Sequence, residues 1–152
     1  MGSADKQLLD DGTLKVTLHH NLWQGVKDRA PCALRSGASV HHLHIAAPDF
    51  GDSLGVCMHS HAHSENNVWE TAASMASSRL VRIYKGSTFF DRGSLHNGQP
   101  VEMLRALQTA GATLTADIAC QPTPHGPLDA APEAAARARA GAGAGRIWTA
   151  PD

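Results

Sequence analysis

No apolar run in this 152-residue chain approaches the ~18 residues that a membrane-spanning helix needs. Nor does Met1 to Lys6 have the basic start and apolar core of a signal peptide, so the sequence as it stands carries no export signal. Cysteine is scarce: Cys32, Cys57 and Cys120 form an odd set of three without a CxxC pair. That indicates neither a disulfide framework nor a zinc knuckle and leaves buried free thiols as the expectation. An excess of one charge is lacking too. A formal net charge of −1 gives nucleic acid or a membrane surface no electrostatic hold, so neither is expected as a partner. Attraction to an anionic polymer must then come from local cations. With 42% hydrophobic and 18% charged residues, the composition is that of one ordinary globular domain.

The most informative stretch is Leu14 to Pro31, LKVTLHHNLWQGVKDRAP. Leu14, Val16 and Leu18 alternate with Lys15, Thr17 and His19, which predicts one half-buried strand from Leu14 to Trp23. Beyond it Lys27 and Arg29 flank Asp28, and Pro31 biases Ala30 towards an extended conformation, so two cationic side chains are expected at the strand's end.

Asn21-Leu22-Trp23 recurs as Asn67-Val68-Trp69, 46 positions later, and half that interval is 23. Coils of about 20 to 25 residues that each add short strands to stacked sheets are what a parallel β-helix shows. The same step from Asn21 lands on His44, and from Asn67 on Phe90. Asn21, His44 and Asn67 are therefore expected to stack as an internal polar ladder; two unrelated turns that contain Asn are the alternative. Further strands are predicted at Leu80–Tyr84 and Ala112–Ile118. Only two helices are predicted. Val101–Ala110 ends at Gly111, where a C-cap would sit, and Asp129–Ala140 is alanine-rich with Asp129 available as N-cap. The second helix is expected along the outside or end of the stack, covering strand edges.

Several blocks in this order resemble the pectate lyase superfamily. They are Val16-Thr17-Leu18-His19-His20-Asn21 with Arg29-Ala30-Pro31, then Ser64 to Glu70 (SENNVWE), Asp91 to Gly98 (DRGSLHNG), and Pro122-Thr123-Pro124-His125 through Gly141-Ala142-Gly143. The resemblance implies an all-β chain folded as a right-handed parallel β-helix, one domain over 1–152 with coils through 121 and a tail over 122–152. It also implies that several N-terminal coils are missing, so that the chain corresponds to the C-terminal portion of a larger enzyme. The implied substrate is pectate (polygalacturonate), the implied cofactor Ca²⁺, and the implied setting secretion as a monomer.

Elimination from a uronan removes the weakly acidic proton beside the carboxylate, and a cation on that carboxylate stabilises the charge that builds up. The resemblance makes Arg29 the proton acceptor. A guanidinium can act so only if neighbouring cations depress its pKa, which should make activity rise at alkaline pH. From the residues alone, Arg29 could equally form a surface ion pair with Asp28 or a neighbouring carboxylate. Lys27 and Arg35 are candidate substrate-binding cations, although Cys32-Ala33-Leu34-Arg35 sets Arg35 one position later than the family pattern. The acidic residues that hold the family's Ca²⁺ belong to upstream coils, so no metal ligand is assigned, and Asp5, Asp10 and Asp11 read as a solvated turn.

Ten histidines are unusual for this length. His59, His61 and His63 would share one face of a strand, and His41, His42 and His44 form a second cluster. Imidazoles in such rows bind Zn²⁺, Ni²⁺ or Cu²⁺, although surface histidines without a role explain them as simply. Two alternatives to a lyase follow: a non-catalytic module that holds an acidic glycan through Lys27, Arg29 and Arg35, and a histidine-rich metal-binding domain.

Overall fold

The computed structural model describes residues 14–27, 31–34, 36–41, 44–46, 53–57, 60–84, 88–114 and 126–141. Short strands follow one another around successive coils. The first coil gives β1 (Leu14–His19) and β2 (Leu22–Gln24), and the next gives β3 (Cys32–Leu34), β4 (Ser36–His41) and β5 (His44–Ala46). Then come β6 (Leu54–Cys57), β7 (His61–Glu65) and β8 (Val68–Glu70), followed by β9 (Val81–Ile83), β10 (Thr88–Arg92) and β11 (Leu95–His96). Stacked in parallel they make three sheets, β1-β4-β7-β10, β3-β6-β9 and β2-β5-β8-β11, the last closed by antiparallel β12 (Gln99–Pro100). This is the right-handed parallel β-helix that the sequence implied.

The period is not constant. Leu14 pairs with Ser36, Gly37 with His61 and His61 with Thr88, steps of 22, 24 and 27 residues. A fixed step of 23 therefore misplaces two partners. His44 stands in register with Leu22 and Val68 rather than beside Asn21 and Asn67, and the backbone N–H of Asn67 reaches Ser94 Oγ rather than Phe90. The expected Asn–His–Asn ladder is absent for that reason.

The predicted strand over Leu14–Trp23 is in fact two strands with a bend between them. His20 takes φ 52, Asn66 φ 50 and Gly93 φ 70, one left-handed residue at the same corner of three coils. A single left-handed residue turns an extended chain sharply, and Asn, His and Gly tolerate that region better than branched residues do. Each corner residue is followed by Asn21, Asn67 or Ser94, whose side chains satisfy the corner. Asn21 Nδ2 donates to the His19 carbonyl (2.9 Å), and Asn67 Nδ2 donates to Ser64 Oγ (2.9 Å).

Inside that corner lies Asp91. Its Oδ1 accepts from Ser64 Oγ (2.5 Å) and Ser94 Oγ (2.7 Å), and its Oδ2 is buried without a hydrogen bond. Burial pushes its carboxyl up to about 6 against the opposing pull of the two serine hydroxyls, with Glu102 and Glu65 adding like-charge repulsion. Because the folded state then holds the proton more tightly, this group's contribution to stability declines as pH rises from about 4 to about 6. The loss is on the order of 3 kcal/mol. Unfolding in urea at a series of pH values is expected to show that decline, and Asp91→Asn to flatten it.

Leu54, Val56, Ala62, Trp69, Leu80, Val81 and Phe89 fill the interior, joined by Met103 and Leu107 from α1 (Met103–Thr109). Helix α1 ends at Ala110, and Gly111 follows with φ 92, the left-handed residue expected just past a helix. The predicted strand over Ala112–Ile118 is not formed at Ala112–Leu114, which carries no regular structure; its remainder lies outside the described residues. Helix α2 (Ala131–Gly141) lies on the outer face of β8, where Ala131 and Ala135 pack on Val68 and Leu95. Asp129 fastens it to the corners. Its carbonyl accepts from Asn66 Nδ2 (2.8 Å), and its carboxylate contacts His20 Nε2 (3.5 Å) and Arg137 (2.8 Å). Arg139 meets Glu70 further along.

Candidate functional site

The sheet β3-β6-β9 follows the connection that carries the predicted site. Alternation turns Leu54, Val56 and Val81 into the core, so Gly55 and Arg82 take the outward positions, and the register sets Cys32, Gly55 and Arg82 in one row. The glycine between them is buried and contributes no side chain. Gly55 N–H donates to the Pro31 carbonyl (2.9 Å), and Tyr84 N–H donates to the Val56 carbonyl (2.8 Å), so the ladder continues at both ends. Arg82 is exposed and its guanidinium stands 5.1 Å over the Tyr84 ring. A cation over an aromatic face is held there by attraction to the ring's negative face.

Lys27 is exposed on the connection that leads from β2 towards β3, beyond Gly25 rather than at a strand end. Arg29 and Arg35 lie outside the described residues; in the sequence they flank Pro31 and β3. The structure thus locates one of the three predicted cations. Arg82 and Tyr84 were not singled out from the sequence. The signal was present, because alternation in Val81-Arg82-Ile83-Tyr84 opposes the two polar side chains to Val81 and Ile83.

Among the described residues no three imidazole, carboxylate or thiolate groups converge to hold a metal ion, so the implied Ca²⁺ finds no ligand set there. His61 is tied up by Thr88, with Nδ1 2.8 Å from Oγ1. His63 lies on the same outer face of β7 but is only 6% exposed, against the expectation of a surface histidine. His59 and His42 lie outside the described residues. Cys57 is buried and forms no disulfide, as expected.

Comparison with known proteins agrees with this architecture. A family model described as pectate lyase matches residues 1–125. A pectate lyase of Bacillus subtilis (strain 168) is 27% identical over 153 residues, covering 96% of this chain and 35% of that protein. A solved pectate lyase bound to a hexasaccharide superposes with a TM-score of 0.80 at 25% identity, covering 95% of this chain and 36% of that one. A thermostable pectate lyase gives a TM-score of 0.87 at 22% identity, covering 97% and 38%, and supports the fold. The chain spans about a third of the length of these relatives. With the family model matched over residues 1–125, most of its length, the chain belongs to the pectate lyase family.

Proposed function

We infer that the protein acts on polygalacturonate by β-elimination. What supports this is the pectate lyase family match, the Arg29-Ala30-Pro31 block in the sequence and, on the sheet β3-β6-β9, the outward Arg82 set over the Tyr84 ring. In this reading Lys27 and Arg35 bind uronate carboxylates by charge. Arg29, neutral when it acts, takes the proton from the carbon beside the carboxylate; the electron pair forms the new carbon–carbon double bond, and the bond to the glycosidic oxygen breaks. The family's Ca²⁺ is not assigned ligands here, and no step depends on it. The same reading puts the protein outside the cell, as a monomer.

The products absorb in the ultraviolet, so the test is direct. Polygalacturonate supplied with Ca²⁺ is expected to yield unsaturated product at a rate that rises towards alkaline pH. Arg29→Ala is expected to lower that rate by about 100-fold or more, the loss of a general base. The rate for the 152-residue chain by itself is expected to be weak. Salt-sensitive retention on a pectate matrix with no unsaturated product, with or without Ca²⁺, would instead make this a glycan-binding module.

A further inference from the structure

Where β8 runs on to β9, the connection over 71–80 includes a single 3-10 turn, Ser77–Arg79, against which α1 packs. Between turn and helix lies a cleft of about 460 Å³, a volume that suits a small ligand. Its place in the coil is that of the connection from β2 to β3, two coils earlier, which carries Lys27 and, in the sequence, Arg29. At ~4.8 Å per parallel strand, the two connections are about 10 Å apart along the stack.

Both walls are fixed. Met103 and Leu107 anchor α1 in the core, and His96 ties the turn to β11. Thr71 Oγ1 donates to the Ala72 carbonyl (3.1 Å), so in its contact with His96 Nε2 (2.8 Å) the imidazole is the donor. That leaves Nδ1 bare, to accept from the Ser77 hydroxyl at 2.9 Å. Burial lowers the pKa of His96, which favours this neutral form.

The lining has two characters. Ala76, Pro100, Val101 and Ala106 give it an apolar side. Arg105 and Glu102 are exposed at it and, although three residues apart, form no ion pair with each other or with any described residue. A guanidinium without a partner suits a carboxylate, a carboxylate without one accepts from hydroxyls, and small apolar groups suit the C–H face of a sugar ring. A uronate residue offers all three. We propose that the cleft is a further subsite for the pectate chain, where one galacturonate sets its carboxylate on Arg105 and donates ring hydroxyls to Glu102. This rests on the polygalacturonate reading and extends it, since a chain held at the β2–β3 connection and lying along the stack reaches the cleft. Long oligomers then bind more tightly than short ones.

Calorimetric titration of Arg29→Ala, which does not consume the sugar, with octagalacturonate and digalacturonate tests this at physiological salt, where distant charges are screened. Octagalacturonate is expected to bind more tightly. Arg105→Glu should weaken its binding about 10-fold, the loss of one charge-assisted contact in an exposed site, and leave that of digalacturonate, too short to bridge the two connections, unchanged. Lys15→Glu, the same reversal of charge on β1 and outside the cleft, should change neither. Arg105 is exposed, so its variant should keep the melting temperature of the parent. Failure to bind octagalacturonate overturns the proposal, as does an Arg105→Glu effect that is absent or matched by Lys15→Glu. The lyase reading fails separately: binding that depends on Arg105, with no unsaturated product from the unaltered protein, removes the elimination and leaves the subsite, whereas product formation with Arg105→Glu silent removes the subsite alone.

Discussion

Gly93→Ala is expected to destabilise the protein by about 3 kcal/mol or more. Two costs combine. Gly93 sits at φ 70, and a left-handed conformation costs a residue with a Cβ about 1–2 kcal/mol. The new Cβ would also stand 2.0 Å from Asn66 Oδ1 and 3.2 Å from its Cγ, far inside contact distance. Asn66 would have to swing away, and its Nδ2 holds the Asp129 carbonyl at 2.8 Å, so a hydrogen bond worth about 1 kcal/mol that ties α2 to the corner goes with it. In thermal unfolding the shift is about 6–12 °C for a domain of this size. Asn66→Gly in the same chain removes the clash while keeping a residue suited to φ 50, so the double variant should be less destabilised than the two single costs added together. Strict additivity would mean that Asn66 does not constrain the corner.

The same corners show where the sequence was legible and where it was not. Apolar alternation in Leu14–His19 and the repeat of Asn-Leu-Trp as Asn-Val-Trp gave the coiled stack, because inward positions have to repeat once per coil. The corner itself is a single dihedral angle. His20 and Asn66 occupy it as Gly93 does, and nothing in a histidine announces a left-handed residue. The period failed for a related reason: loops such as the one between β8 and β9 lengthen a coil from 24 to 27 residues without disturbing any strand. A constant step of 23 therefore misses by one residue across the first coils and by four across the last.

For the site, sequence and structure were informative about different residues. Arg29-Ala30-Pro31 is recognisable as a motif, whereas Arg82 and Tyr84 belong to no motif, and the structure singles them out by setting Arg82 beside Gly55 and over the Tyr84 ring.

Trp69→Ala is expected to cost about 3–5 kcal/mol, read as a shift of the urea midpoint. Trp69 is 0% exposed and projects inward from β8, in register with Ile45 and, below it, Trp23, so its removal leaves a void in a stack of large apolar positions. Rungs above and below are fixed by backbone ladders and cannot collapse into that void, which places the cost in the upper part of the range. The indole is also anchored: Nε1 donates to Ser53 Oγ at 3.2 Å, and Ser53 is 2% exposed at the start of β6. Trp69→Phe keeps most of the buried area but strands that hydroxyl, and should cost about 1–3 kcal/mol. Adding Ser53→Ala to Trp69→Phe removes the stranded group, so part of the stability should return. If it does not, the hydrogen bond contributes little, and it is filling the interior of the coil that makes Trp69 indispensable.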